Sequence, residues 1–405
     1  MSIKIFQISS EVNSGSVGRI AEHIGEKAIE NGWDSYIAYA RDNNPSKSKV
    51  IRIGGKADLI MHGLLTRFTD RHGFGSSSAT KNLIKIIKEI NPDIIQLQHL
   101  HGYYINIEIL FKFLVEFNKP VVWTFHDCWS FTGHCSYYEL AECDKWKSTC
   151  NQCPQTQEYP KSYIDQSLKN FEDKKRIFNS VENLTIVPVS NWIEDQVKES
   201  FLKEVEIKTI HNGIDIDNFA PQNTVNIKEK FNLSDKFVIL GVASPWGERK
   251  GLKYFVELSK MLSEEYQIML IGLSEDQIKS LPAEIKGIER TESVKELAEF
   301  YSAADVFLNP TLEEALGLTN IEAQACGTPV ITFKSGGSPE TINDETGITV
   351  EKGDVEGLHN AIRIIRENGK AFYADKCRKR AEEFFNKDDR FQEYLNLYYD
   401  ILKLN

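Results

Sequence analysis

Strand-sized apolar runs alternate with helix-sized amphipathic runs along all 405 residues, and this alternation limits the possible folds more than any other feature. The candidate strands of the first half are IKIFQIS, SYIAYA, KVIRI, IIQLQH, PVVWTFH and LTIVPVS. Those of the second half are FVILGVA, QIMLIG, VFLNP, PVITF and GITV. Short apolar strands separated by helices are typical of α/β layers, so the sequence predicts doubly wound, mostly parallel sheets.

A turn-rich segment, HNGIDIDNFAPQNT (residues 211–224), separates two halves that each contain enough elements for a complete unit. We therefore predict one domain over residues 1–211 and a second over 212–385. Residues 386–405 are predicted to form a terminal helix that packs back on the first domain. The reason is one apolar stripe at helical spacing, formed by Phe391, Tyr394, Leu395, Tyr398 and Leu402.

Charge and composition exclude several classes of protein. The net charge of −11 argues against general nucleic-acid binding, which needs a basic surface. The longest apolar runs are strand-sized, so no membrane-spanning helix is predicted. The N-terminal MSIKIFQISSEV reads as a strand and not as a signal peptide. Together with an odd number of cysteines, seven, this favours reduced thiols and a cytoplasmic location.

Two glutamates flank a predicted helix start in PTLEEALGLTNIEAQACGTPV. In one interpretation, Thr319 and Glu322 form a capping box and are purely structural. In the other, the open N–H groups of Leu318 and Thr319 bind an anionic oxygen, helped by the helix dipole. Glu322 would then accept hydrogen bonds from a ribose diol, and Glu314 would reach hydroxyls on the other side. The spacing leaves both interpretations open.

The segment EALGLTNIEAQACGTPVI resembles the Glu-x7-Glu signature of the retaining glycosyltransferases of family 4. HNGIDIDNFAP, ELAEFYSAADVFLNPTLEE and SGGSPETINDETGITV resemble further segments of that family, in the same order. The resemblance implies the GT-B fold, with two Rossmann-like domains that face each other across a cleft. It also implies that the nucleotide-sugar binds mostly to the second domain and the acceptor mostly to the first. Ligands of open α/β sheets do bind beyond the carboxyl ends of the strands.

The same resemblance implies roles for single residues. GT-B enzymes use no catalytic metal, so cations and amides must stabilise the leaving diphosphate. The implied catalytic residues are His126, which follows an apolar strand and precedes Asp127, and Glu314. His99 and His101 also lie near a strand end but carry no implied role. The implied donor-binding residues are Gly15, Ser16, Arg249, Lys250, Leu318, Thr319 and Glu322. Two of these depart from the family pattern: Ser16 stands where a second glycine is usual, and Arg249 would replace an arginine usual at Pro245.

A cysteine-rich insert at about residues 128–154 follows His126 directly and holds Cys128 and four further cysteines. Cys150-x-x-Cys153 has zinc-knuckle spacing, so the insert predicts a structural zinc site formed by Cys135, Cys143, Cys150 and Cys153. Free thiols and disulfides remain alternatives. The insert also resembles a feature of family members that build bacterial capsules and exopolysaccharides of the colanic-acid type.

The resulting hypothesis is a retaining glycosyltransferase. It would move a hexose-type sugar from a UDP- or GDP-sugar to a hydroxyl of a glycan or a lipid-linked glycan during surface polysaccharide biosynthesis. A lipid-linked acceptor would require peripheral contact with the inner face of the membrane. A GT-B nucleotide-sugar epimerase and a non-catalytic glycan-binding protein are the alternatives.

Overall fold

The computed structural model describes residues 2–403 and divides into two compact units. One unit comprises Met1–His211 together with Arg390–Asn405, and the other comprises Asn212–Asp389. Met1, Leu404 and Asn405, which belong to the predicted ranges 1–211 and 386–405, lie outside the described residues.

The first unit is built on a seven-stranded sheet in which all neighbouring strands are parallel. The strand order is β3-β2-β1-β4-β5-β6-β7. The strands are β1 (Lys4–Ile8), β2 (Asp34–Tyr39), β3 (Lys49–Arg52), β4 (Ile94–Leu97), β5 (Val121–Phe125), β6 (Leu184–Pro188) and β7 (Glu206–Ile207). The central strands β4, β5 and β6 are buried along their whole length, because helices cover both faces of a parallel sheet.

Helices connect these strands, and polar side chains fix several of their starts. The helices are α1 (Gly15–Glu30), α2 (Lys56–Thr69), α3 (Ser77–Ile90), α4 (Ile107–Phe117), α5 (Ser167–Phe178) and α6 (Asn191–Glu199). The Asn106 side chain accepts a hydrogen bond from Ile109 N–H at the start of α4. Ser190 does the same for Ile193 at the start of α6. Such caps satisfy backbone donors that a helix leaves open.

The second unit is built on a six-stranded parallel sheet with the order β10-β9-β8-β11-β12-β13. Its strands are β8 (Phe237–Val242), β9 (Tyr266–Ile271), β10 (Ile285–Ile288), β11 (Val306–Asn309), β12 (Val330–Phe333) and β13 (Gly347–Val350). Its helices are α7 (Val225–Lys230), α8 (Leu252–Ser259), α9 (Glu275–Ser280), α10 (Val294–Ala303), α11 (Leu318–Ala325), α12 (Val355–Asn368) and α13 (Lys370–Phe385).

The last helix, α14 (Lys387–Leu402), packs against the sheet of the first unit. Its buried aromatic side chains share a core cluster with Ile5, Ile94 and Val122 from three central strands. The Tyr398 hydroxyl donates to Gln96 Oε1 at 2.8 Å, which ties the helix to β4. The apolar stripe read from the sequence is the face that this helix buries.

Both sheets show the strand order of the dinucleotide-binding α/β fold, 3-2-1-4-5-6, counted within each unit. The order reverses between β1 and β4 in the first unit and between β8 and β11 in the second. The carboxyl ends of these strands form the crevice where open α/β sheets bind ligands. The prediction of two Rossmann-like, doubly wound parallel sheets is confirmed.

Candidate active site

The crevice of the second unit brings together Lys250 and Glu314, which are far apart in sequence. A 3-10 turn, Glu248–Lys250, follows β8, and Glu314 lies in the loop after β11. Lys250 Nζ lies 2.5 Å from Glu314 Oε2. Burial raises the pKa of the Glu314 carboxyl, but the charge and hydrogen bond of Lys250 outweigh it, so the pKa is lowered. Glu314 is therefore a carboxylate at neutral pH and is paired with a cation.

Two glycines allow the chain to approach closely enough for this pairing. Gly251 has φ +74°, and a Cβ there would lie 2.0 Å from the carbonyl oxygen of Pro310. Gly336 has φ +52°, and a Cβ there would lie 1.9 Å from the carbonyl oxygen of Glu314. The Gly337 N–H also donates to that carbonyl at 2.9 Å. The loop that carries Glu314 is therefore held between two backbone segments that only glycine permits.

Arg249, predicted to contact phosphate, is hydrogen-bonded to the same loop. Its Nη1 donates to the carbonyl of Glu313 at 3.1 Å, and its own carbonyl accepts from Leu312 N–H at 2.8 Å. In the structure Arg249 thus orders the Glu314 loop, and its role toward a phosphate stays a prediction.

The structure distinguishes the two interpretations of the helix start before Glu322. Helix α11 begins at Leu318, and its N-cap is Gly317 with φ +93°, without a side-chain cap. Thr319 therefore lies inside the first turn, and the capping-box interpretation is wrong. Glu322 Oε2 instead accepts a hydrogen bond from the buried Tyr301 hydroxyl at 2.9 Å. An N-terminus that no side chain caps is the arrangement expected of an anion-binding helix.

A buried polar network that the sequence did not reveal orients α11. Asn320, in its first turn, donates to Ser338 Oγ and Thr341 Oγ1 at 3.0 Å each. Its Oδ1 accepts from Asn309, the last residue of β11, at 2.8 Å. Thr332 of β12 completes the network through a 2.7 Å contact with Ser338. The sequence contains one sign of this network: a polar residue lies in each of two apolar runs, Asn309 in VFLN and Thr332 in VITF.

In the first unit, His126 lies at the carboxyl end of β5 and takes part in a chain of side-chain hydrogen bonds. Its Nε2 lies 2.8 Å from Gln98 Oε1. Gln98 Nε2 donates to Gln7 Oε1 at 3.3 Å, and Gln7 Nε2 donates to the carbonyl of Ala21 at 2.7 Å. This direction of donation places the imidazole proton on Nε2 and leaves Nδ1 as an acceptor. Burial lowers the pKa of His126 to about 4, so the ring is neutral at neutral pH.

Asp127, the next residue, contacts His101, which follows the adjacent strand β4. His101 Nε2 lies 2.7 Å from Asp127 Oδ2, and its Nδ1 lies 3.0 Å from the Tyr159 hydroxyl. Burial raises the pKa of Asp127, but His101 and then His99 lower it more, so the pKa lies well below its usual value. The His101 ring is therefore oriented from both nitrogens, a role that the sequence had not assigned to it.

His99, His101 and Asp127 have ligating atoms within 4.8 Å of one another and could hold a metal ion by distance alone. His101 Nε2, however, must carry a proton to donate to the Asp127 carboxylate. In this arrangement the carboxylate of Asp127 positions the His101 ring.

Gly15 and Ser16 lie where α1 begins after β1, at the switch point of the first sheet. Gly15 has φ +61°, and a Cβ there would lie 2.6 Å from Glu11 Oε2. Both residues are exposed within their unit, and Arg19 Nε donates to the carbonyl of Gly15 at 2.9 Å. Their predicted contact with the donor remains a prediction.

The cysteine-rich insert does not show the geometry of a four-thiolate zinc site. Cys135, Cys143, Cys150 and Cys153 line one small cavity, and all are free thiols. Sulfur ligands of tetrahedral zinc lie about 3.8 Å apart. Among residues 2–403, no three of these thiols approach within 4.8 Å of one another. The prediction of structural zinc is not supported by these distances; of the alternatives, the structure contains free thiols.

Acidification should destabilise the protein through His126. Because the unfolded histidine titrates near pH 6.5 and the folded one at about 4, the unfolded state binds more protons between these values. The penalty is absent above pH 6.5 and complete below pH 4. At pH 5 it amounts to about 2 kcal/mol. We measure the free energy of unfolding by urea unfolding, followed by tryptophan fluorescence, at pH 7.5 and pH 5.0. The decrease from pH 7.5 to pH 5.0 should be smaller in His126→Gln than in the wild type by that amount. His359→Gln, in α12, is the control, and equal losses in all three proteins would contradict the prediction.

Comparison with known proteins agrees with this architecture. The family "Glycosyltransferase Family 4" matches residues 17–218, and "Glycosyl transferases group 1" matches residues 236–368. The chain belongs to glycosyltransferase family 4. This glycosyltransferase has the GT-B fold and belongs to a retaining, metal-independent class. No helix in the described part of the chain has the length and apolar character needed to cross a membrane.

Relatives of this glycosyltransferase include proteins of polysaccharide synthesis. It is 25% identical to the "Putative colanic acid biosynthesis glycosyl transferase WcaC" of Escherichia coli, over 53% of this chain and 55% of the relative. It is 23% identical to an "Uncharacterized 41.2 kDa protein in cps region" of Klebsiella pneumoniae, over 93% of this chain and 98% of the relative. It is 27% identical to the "UDP-Gal:alpha-D-GlcNAc-diphosphoundecaprenol alpha-1,3-galactosyltransferase" of Escherichia coli, over 51% of this chain and 57% of the relative. Two of these three matches therefore span little more than half of the relative's length.

Solved structures show the same fold over the whole glycosyltransferase. Sucrose-phosphate synthase from Thermosynechococcus elongatus matches with a TM-score of 0.72 at 19% identity, over 100% of both chains. Anabaena Alr3699/HepE in complex with UDP-glucose matches with a TM-score of 0.66 at 14% identity, over 98% of this chain and 100% of the other.

Proposed function

We propose that this glycosyltransferase transfers a hexose-type sugar from a UDP- or GDP-sugar to a hydroxyl of a glycan or lipid-linked glycan in surface polysaccharide synthesis. The observation that carries the proposal is the Lys250–Glu314 pair, which lies in the crevice that holds the uncapped start of α11. A cation, open helix amides and a carboxylate are the groups that a nucleotide-sugar needs for its diphosphate and its sugar hydroxyls.

The chemistry assigns these groups distinct tasks. As the bond from the anomeric carbon to the phosphate oxygen breaks, negative charge grows on the diphosphate. Lys250 and the first-turn amides of Leu318 and Thr319 stabilise that charge. The acceptor oxygen bonds to the anomeric carbon on the same face, and its proton passes to the leaving phosphate oxygen. Glu314 orients the sugar through its hydroxyls and does not attack it.

The first unit supplies the acceptor side of the proposal. His126 presents an unprotonated Nδ1, which can accept a hydrogen bond from a sugar hydroxyl. His101, oriented by Asp127 and Tyr159, is a positioning partner at the next strand end. We assign no metal to the reaction.

Names of related proteins support the class of donor and acceptor. One relative is named for a UDP-galactose donor and a diphosphoundecaprenol acceptor, and another for colanic acid biosynthesis. A structural neighbour is described as a complex with UDP-glucose. A lipid-linked acceptor would bring this enzyme to the cytoplasmic face of the membrane.

A screen of nucleotide-sugars tests the proposal. A true donor binds the native state and should raise the melting temperature. With that donor, Glu322→Gln should weaken binding about tenfold or more, because the ribose diol loses a charged acceptor. The amide oxygen can still accept from Tyr301, so the melting temperature without ligand should change little. Glu257→Gln, an exposed position on α8, is the matched control.

The product distinguishes the proposal from its alternatives. Mass spectrometry should show one hexose added to a glycan or lipid-linked acceptor. Interconversion of free nucleotide-sugars without an acceptor would indicate an epimerase. The absence of stabilisation by every UDP- and GDP-sugar, together with glycan binding, would indicate a glycan-binding protein and contradict the proposal.

A further inference from the structure

Lys174, on α5, is a lysine that lies inside the first unit, with only 1% of its surface exposed. Its side-chain nitrogen donates to the carbonyl oxygens of Trp129 at 2.7 Å and of Thr132 at 3.0 Å. The same nitrogen lies 3.6 Å from the centre of the Trp129 ring, a cation–π distance. Two carbonyl groups and one ring face are therefore available to the three N–H groups of the ammonium ion.

A positive charge at this buried position costs free energy of folding. Lys174 donates to neutral carbonyls, and a buried charge is expensive unless an opposite charge is paired with it. Burial accordingly lowers the pKa of Lys174 to about 7. The groups around it that act in the opposite direction are Cys150, Cys135, Asp127 and Asp70. A lysine kept here at such a cost points to a role beyond stability.

Lys174 is connected to the predicted acceptor site through the backbone of Trp129. This residue begins the 3-10 turn Trp129–Phe131, and its N–H donates to Asp127 Oδ1 at 2.9 Å. The other oxygen of the same carboxylate, Oδ2, lies 2.7 Å from His101 Nε2. The carboxylate of Asp127 therefore links the turn that Lys174 holds to the His101 ring.

The Trp129 ring provides a second connection, because it packs beside the same histidine. Its centre lies 5.6 Å from that of the His101 ring and 5.5 Å from that of the His72 ring. It also packs against Gly73, where a Cβ would lie 3.0 Å from two atoms of the indole. The indole thus lies among Gly73, His72 and His101, and a displacement of the indole would displace His101 as well.

We propose that Lys174 is a positioning residue for sugar transfer: it holds Trp129 and thereby fixes Asp127 and the His101 ring at the acceptor site. The inference rests on the proposed function, in which the acceptor lies beside His101 and His126. Because Lys174 is buried, it acts on the reaction only through the orientation of other side chains. A displacement of about 1 Å in a positioned group lowers a rate about a hundredfold.

Proton exchange at His101 tests the positioning without any substrate. In protein with isotope-labelled histidine, the Nε2 proton that Asp127 holds should give an imidazole NMR signal, which His101→Gln identifies by its loss. Lys174→Met keeps most of the side-chain volume and removes the N–H groups. It should raise the rate at which this proton exchanges with water about tenfold or more, because the protecting contact opens more often. Lys175→Met, at the exposed next position of α5, is the matched control and should leave the rate unchanged.

Transfer kinetics test the consequence for the reaction. Lys174→Met should lower kcat/KM for the acceptor about a hundredfold. Hydrolysis of the donor without an acceptor, which depends on the second unit, should keep the wild-type rate. Ile177→Ala removes a buried side chain of the same helix, so it should lower stability but keep both rates. Trp129→Phe leaves the backbone contact with Lys174 in place and shortens only the ring. It should lower kcat/KM for the acceptor and raise the exchange rate at His101.

Three results would overturn the inference. The first is an unchanged exchange rate at His101 in Lys174→Met. The second is a parallel loss of transfer and hydrolysis in that variant, which would make Lys174 merely structural. If Lys174→Met does not fold, unchanged exchange and transfer in Trp129→Phe are the third. Faster exchange in Lys174→Met, together with a wild type that consumes no nucleotide-sugar, would contradict the proposed function and leave the positioning of His101 in place.

Discussion

Lys250→Met is expected to lower kcat by a factor of about 10²–10³, the usual cost of removing one group that stabilises charge in a transition state. Lys250 lies 2.5 Å from the largely buried carboxylate of Glu314 in the crevice of the second sheet. Methionine keeps most of the side-chain volume and removes only the charge. Transfer should fall much more than donor binding, because the diphosphate gains most of its charge as the sugar leaves.

The ion pair complicates this experiment, and a double variant resolves the complication. Lys250→Met alone leaves Glu314 without its cation, which should cost about 3 kcal/mol of unfolding free energy. Adding Glu314→Gln removes that unpaired charge, so the double variant should regain stability but not turnover. Lys253→Met, at an exposed lysine of α8, is the control. If turnover returned together with stability, Lys250 would be structural and the proposed mechanism would fail.

Gly336→Ala should have the second large effect, because it displaces Glu314. The new Cβ would lie 1.9 Å from the carbonyl oxygen of Glu314, and something must move. We expect a loss of about 2–4 kcal/mol in unfolding free energy. We also expect turnover to fall about a hundredfold, since a displacement of about 1 Å has that effect on a positioned group.

Gly369→Ala provides a matched control for backbone strain. Gly369 has φ +76°, yet no atom lies within 4 Å of a Cβ at that position. This variant should therefore lose about 1–3 kcal/mol through backbone strain alone and keep full turnover. Urea unfolding and kcat, measured on both alanine variants, make the comparison. Equal losses of stability would show that strain, and not contact with the Glu314 loop, explains the effect of Gly336→Ala.

The fold could be predicted from the sequence to the extent that apolar runs mark strands. All eleven predicted runs are strands in the structure, because a central strand of a parallel sheet is apolar on both faces. The two strands that were missed are β7, which has only two residues, and β10, where lysine and glycine interrupt the run IKGI. Both are edge strands, which need fewer apolar residues.

The candidate site could be predicted only where a motif is local in sequence. The region around Glu314 and Glu322 was found from one segment, but its contact with Lys250 depends on how the loops after β8 and β11 meet. The orientation of His126 depends on Gln98 and Gln7, which read as ordinary residues of apolar strands. The sequence left two interpretations of the helix start open because Gly317, which precedes the helix with a positive φ, carries no capping side chain.

The exposure of Ile60, Met61 and Leu64 on α2 could not be predicted, because periodicity indicates which residues share a side of a helix but not whether that side is covered. These three read as core residues by spacing alone. Only the packing of the first unit shows that α2 buries its other side through His62.

Each of the two units has an interior of its own: the core cluster around Phe255 and that around Tyr394 have no residue in common. A substitution that changes the packing of one core therefore leaves the packing of the other core unchanged. Chimeras that exchange the first unit between relatives should accordingly fold only when α14, which supplies part of that unit's core, is exchanged with it.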